Sequence, residues 1–234
     1  MKYLQSKTFL GGNECADDAI QSSQLVELRL DELRKKLDEI GTGAPLDTKL
    51  PLILQQCYAL LELNRFDEAW DLAHAHFDQA ISEELWLYAV ESCDIMFQTG
   101  KPESIKALAH GIWLSVTFPV DPELSVAMLQ HMVDESQDRS DGAAVAAATA
   151  GYIADMRAED KQRENLQFFT IQLLGQVART HSQVEDQEIF DFWVQQLELD
   201  NPGKFLPRLA TVLDILTGGD WWFDRDQLRS KIPE

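Results

Sequence analysis

Leu60–Ala69 reads LLELNRFDEA, and Leu72–Phe77 continues it as LAHAHF. Apolar residues recur at helical spacing on both sides of Asn64, and an asparagine beside charged residues is turn chemistry, so the stretch predicts two helices joined by a short turn. Shifting the chain on itself by 36 positions lays Leu72-Ala73-His74 on Leu108-Ala109-His110. The same shift lays Phe77 on Trp113, Asn64 on Gly100, Arg65 on Lys101, Asp67 on Glu103 and Cys57 on Cys93. A fixed period of this length, with one helix on each side of a turn, is the signature of a helical repeat array in which each helix pair buries its apolar face against a neighbouring pair.

The pattern resembles a tetratricopeptide-type repeat over about residues 46–117. In Leu60–Ala69 a Gly/Asn-type turn position is followed by an aromatic residue and then a small residue three later, as in that family, and Cys57 and Cys93 stand where it prefers a small residue in the first helix. The period of 36 departs from the family's about 34. Pro102 and Ile105 replace the aromatic and the alanine in the second unit, and Ile53 and Ala89 stand at the tryptophan position. The resemblance implies antiparallel helix pairs stacked into a superhelix whose extended surface binds other proteins.

Outward from this core the punctuation is regular. Breaks rich in Gly, Asn, Asp and Pro fall at 64–69, 99–104, 118–123, 138–142, 157–161, 180–183 and 200–203, which leaves roughly ten helices. A looser third unit pairs Pro122–Gln137 with Ala143–Met156, where the small residues of AAVAAATAGYIA suit a helix approached closely on more than one side. Before the repeats, Val26, Leu30, Leu33, Leu37 and Ile40 form a one-sided helical seam within about residues 17–40, too short for a stable coiled coil. The expected fold is therefore all-α: a right-handed array of antiparallel helix pairs, an α-α superhelix of tetratricopeptide-like type, with an extra N-terminal helix and non-repeat C-terminal helices. Its expected parts are 1–45, the repeat region 46–158, and the C-terminal helices with an aromatic tail, 159–234, within one continuous domain.

Few residues point to chemistry. On a helix His74 and His76 lie about 200° apart and cannot share a metal, because chelating pairs need i,i+3 or i,i+4 spacing. His131 and Asp134 do have that spacing, but no second such pair accompanies them. Gly11-Gly12, Gly41-Thr42-Gly43 and Gly218-Gly219 match neither a dinucleotide fingerprint nor a Walker loop. No cofactor motif, catalytic residue or metal ligand set is expected.

Three features are candidate binding surfaces. Phe66, Trp70, His74 and Phe77 form a stripe on one helix, continued in the next unit by His110 and Trp113; it is either sandwiched between layers or open as a groove for a peptide. Glu185, Asp186 and Glu188 belong to the segment Gln183–Asp200, which has six acidic residues and no basic one, and they would steer a basic partner. Between Gly111 and Met156, seven acidic residues face one basic residue, Arg139. Trp221 and Trp222, with Phe223, follow a Gly-Gly break; they either fold back to cap the stack or anchor another protein or a second copy of this chain.

Net charge bounds the partners. The chain has 234 residues, 40 acidic against 20 basic, and a formal charge of -20, which disfavours nucleic acid and anionic membranes and favours a basic protein. Cys15, Cys57 and Cys93 are odd in number and widely spaced, as expected of free thiols in a cytoplasmic protein. No window approaches the about 20 apolar residues that span a bilayer. The expected function is an acidic cytoplasmic adaptor, assembly factor or chaperone-like protein that binds another protein. The alternative is a helical-bundle enzyme, or a metal- or small-ligand-binding protein, using carboxylates with His131 or His76.

Overall fold

The computed structural model describes residues 2–4, 16–136, 140–184 and 186–232. Among the described residues there are eleven helices and no strand: α1 (Ala16–Ile40), α2 (Leu46–Glu62), α3 (Phe66–Ser82), α4 (Trp86–Gln98), α5 (Ser104–Thr117), α6 (Pro122–Glu135), α7 (Asp141–Arg157), α8 (Asp160–Ser182), α9 (Gln187–Gln196), α10 (Pro202–Thr217) and α11 (Arg225–Arg229). The all-α expectation holds. The chain divides into two compact units, residues 5–114 and residues 1–4 together with 115–234.

In the unit 5–114, α1 packs on α2, α2 on α3, α3 on α4, and α2 also on α4. Turns of three residues join α2 to α3 and α3 to α4, so these neighbours run antiparallel. Each turn closes by the same hydrogen bonds: Arg65 N–H donates to Leu60 O at 2.8 Å, and Leu85 N–H donates to Ala80 O at 2.9 Å. This geometry requires a left-handed residue just past the helix, supplied by Asn64 (φ 57°) and Glu84 (φ 59°). Asn64 is a usual choice. Glu84 is not, and no glycine, asparagine or proline in Ser82–Leu85 marks that break in the sequence.

The seam of α1 is narrower than its sequence pattern. Leu30 and Leu33 are buried, Val26 and Leu37 are half-buried, and Ile40 is exposed. Ion pairs from Arg29 to Glu62 (2.7 Å) and from Arg65 to Glu27 (3.5 Å) tie its surface to the neighbouring helices. In α4 the eight consecutive residues 89–96 are all buried, including the carboxylates of Glu91 and Asp94. Asp94 Oδ2 accepts from Tyr58 Oη at 3.0 Å and from Gln98 Nε2 at 2.8 Å, which offsets the loss of water around it.

The second unit is built around α7, which packs against α6, α8 and α10. Every residue from Gly142 to Ala150 is buried. Six alanines in that run make this possible, since a methyl side chain lets neighbouring helices approach from several sides. At its end Arg157 donates to Ser115 O and Val116 O, both at 2.6 Å, and so satisfies carbonyls in the last turn of α5. Burial lowers the Arg157 pKa from its ordinary value. Asp121, Ser140 and Asn201 cap α6, α7 and α10 by accepting from Glu123 N, Gly142 N and Gly203 N. Glu123, itself buried, also accepts from the N–H groups of Tyr3 (2.7 Å) and Leu4 (3.4 Å).

Candidate functional site

The predicted aromatic stripe divides by burial. Ala69, Ala73, Phe77 and Ala80 form the inward face of α3. Four positions apart, Trp70 and His74 lie on the helix flank, where their rings stack at 6.1 Å and 17°. Trp70 is 9% exposed, His74 is exposed, and Phe66 is 39% exposed. Lys101 covers this edge: its Nζ is 5.7 Å from the Trp70 ring centroid and 2.7 Å from Asp67 Oδ1. The accessible part is thus a small ledge of Phe66 and His74 over the buried Trp70, bounded by an ion pair.

Of the stripe's predicted continuation 36 residues on, both residues are interior. His110 is wholly buried and Trp113 is 4% exposed. The His110 ring donates from Nδ1 to Lys106 O at 2.6 Å, because a carbonyl oxygen only accepts. His76 does the same toward Leu72 O at 2.8 Å. These bonds turn both rings back along their own helices. His131 is buried while Asp134, three residues on, is exposed. Among the described residues, no three of His, Cys, Asp and Glu converge where they could hold a metal ion.

Cys57 and Cys93 are both buried free thiols. Burial pushes Cys57 up to about 12, and burial with the nearby Asp94 carboxylate raises Cys93 well above its usual range. Neither thiol is a nucleophile in that form.

Of the expected steering charges, Asp186 and Glu188 are exposed at the start of α9, and Glu185 lies outside the described residues. In the tail, Trp221, Trp222 and Phe223 are each half-buried. Trp221 Nε1 donates to Asp214 Oδ1 at 3.0 Å, Arg225 stacks 4.2 Å above the Trp221 ring, and Arg225 pairs with Asp214 at 2.8 Å. The tail therefore folds against the end of α10. Asp224 caps the short α11 by accepting from Asp226 N and Gln227 N.

Large apolar side chains outside the predicted surfaces stand outward in the second unit. Phe168 and Ile171 on α8 are 68% and 67% exposed, Ile189 and Phe192 on α9 are 52% and 65% exposed, and Ile215 on α10 is 72% exposed. The sequence carries a signal for them. The buried stripe of α8 runs Leu166, Thr170, Leu173, Val177 at 4-3-4 spacing, and Phe168 and Ile171 fall off it. Among the described residues no helix is long and apolar enough to cross a membrane. Compared with protein-family models, curated proteins and solved structures, the chain matches none.

Proposed function

We propose that this chain is a protein-binding module, an acidic cytoplasmic adaptor, assembly factor or chaperone-like protein without catalytic chemistry of its own, built on a tetratricopeptide-like α-α superhelix. The observation that carries this reading is the pair of outward apolar couples on α8 and α9, Phe168 with Ile171 and Ile189 with Phe192, on a chain of net charge -20. Helix faces that keep large apolar groups in water lose that cost when a partner covers them. Support for the superhelix comes from the 36-residue repeat: Cys57 and Cys93 are both buried, Phe77 and Trp113 are both buried, and Asn64 and Gly100 are both left-handed.

The test is affinity capture of the tagged full chain from its own cell extract at low and at high salt, read by mass spectrometry. A stoichiometric basic protein that is retained at low salt and lost at high salt is the expected result. Recovery of the chain alone at both salts overturns the proposal.

A further inference from the structure

α9 is anchored by one side only. Trp193 is buried and its Nε1 donates to Ser182 Oγ at 2.9 Å, while Phe190, Val194 and Leu197 on the same side are half-buried. Ile189 and Phe192, three apart and so adjacent on the surface, are both more than half exposed. Glu188 stands four before Phe192, and Asp191 stands three beyond Glu188, so two exposed carboxylates border the apolar couple.

Within its own segment the charge has one sign, and the two cations that reach the far end of α9 are taken up there, Lys204 by Glu198 at 3.8 Å and Arg208 by Leu197 O at 2.5 Å. Gln183–Asp200 contains no lysine or arginine, and among the described residues no cation pairs with Glu188 or Asp191. Asp191 accepts from Gln187 Nε2 at 2.8 Å, which orients it without neutralising it. Glu188 has a local role as well, since a negative charge near a helix N-terminus favours the helix. Asp191, in the middle of α9, has no such role. On α8 the surroundings differ: Phe168 and Ile171 stand on a helix that carries Lys161, Arg163 and Arg179 beside Asp160 and Glu164, a mixture that selects no charge.

We infer that the outer face of α9 docks a cationic amphipathic helix of a partner protein, whose apolar side chains cover Ile189 and Phe192 while its lysines or arginines meet Glu188 and Asp191. The inference rests on the protein-binding reading above and assigns it a site and a partner chemistry. A second copy of α9 would bring like charges together, which opposes self-association through this face.

The probe is a fluorescent helical peptide of about 18 residues, leucines on one face and lysines on its flanks, with a second peptide carrying glutamate for lysine. Titrated into the full chain at low salt, the lysine peptide binds and the glutamate peptide does not. Ile189→Ser with Phe192→Ser weakens binding by at least about 10-fold. Phe168→Ser with Ile171→Ser leaves it unchanged, and Glu188→Gln with Asp191→Asn flattens its salt dependence. All these side chains are exposed, so unchanged helicity by circular dichroism accompanies each result.

Equal affinity for wild type and the α9 variant overturns the inference; if the α8 variant is the one that loses the peptide, protein binding survives at another place. Failure of wild type to bind the lysine peptide overturns the inference as well, and the extract capture then decides the broader reading separately. A wild-type oligomer that dissociates in the Phe192→Ser chain puts a second copy on this face and overturns it too.

Discussion

His74 and His110 close the same tripeptide, Leu-Ala-His, one repeat apart, yet His74 is exposed on the flank of α3 and His110 is wholly buried in α5. Other equivalent positions behave alike: Cys57 and Cys93 are both 0% exposed, and Phe77 and Trp113 are 1% and 4% exposed. The contrast separates the faces of a repeat that are truly repeated from those that are not. At Cys57/Cys93 and Phe77/Trp113 burial follows the 36-residue period, whereas at His74/His110 the same register meets water in one place and is enclosed in the other.

Substitutions at the positions that behave alike should be the most damaging. Trp113→Ala and Phe77→Ala each remove a buried aromatic ring and are expected to cost about 3–5 kcal/mol. His110→Ala should resemble them more than it resembles His74→Ala, because it empties a buried site and removes the bond to Lys106 O. Urea titrations would measure all three. A Trp113→Ala loss below about 1 kcal/mol would refute the claim that α5 repeats the inward face of α3.

Next in size is a pH effect carried by the repeated cysteines. The folded Cys57 thiol titrates at about 12 against an ordinary value of 9.0. Its pKa is raised on folding, so its contribution is fully present below about pH 9 and is lost as pH rises from there toward 12. The unfolded chain releases a proton that the folded chain keeps, a slope of about 1.4 kcal/mol per pH unit. The stability difference between wild type and Cys57→Ala should therefore shrink between about pH 9 and about pH 11. A constant difference would mean that Cys57 is not sealed between the helices.

Smaller still are the turns. Glu84 holds a left-handed conformation that glycine adopts without strain, so Glu84→Gly is expected to stabilise by about 1 kcal/mol. Gly100 has φ 65°, and a Cβ added there would meet nothing within 4 Å, so Gly100→Ala should destabilise by about 1 kcal/mol through backbone strain alone. Thermal melts of both variants would decide. If both were neutral, the two turns would not be held as tightly as their hydrogen bonds imply.

The same distinction explains how much is legible in the sequence. Helical period, the breaks at Asn64, Gly100 and Pro122, and the small-residue run of α7 are local signals, and each marks an element that the structure contains. The break at Glu84 carries no such mark, because its left-handed residue is imposed by the Leu85 to Ala80 hydrogen bond and not by residue type. Burial on the flanks is hidden for a different reason. Nothing within Leu-Ala-His says that His110 is enclosed while water meets His74, and the two alternatives for the stripe, sandwiched or open, separate by copy. The outward pairs on α8 and α9 are legible in principle, because an apolar residue off the 3.6-residue stripe shows in the spacing alone.

His74 itself should matter least to stability, and for that reason it tests the contrast between the two copies most directly. It is exposed and touches Trp70 by stacking at 6.1 Å, and removing it leaves the Lys101 contact with Trp70 and the Lys101–Asp67 ion pair in place. His74→Ala should change stability by no more than about 0.5 kcal/mol, as for other surface substitutions away from buried contacts. Denaturant midpoints for His74→Ala and His110→Ala, measured together, read the asymmetry directly. Were His74→Ala to cost as much as His110→Ala, the flank of α3 would be covered like that of α5 and the Phe66–His74 ledge would be closed to any partner. A near-neutral His74→Ala keeps that ledge open, and with the fold intact the same variant then reports whether a captured partner touches it.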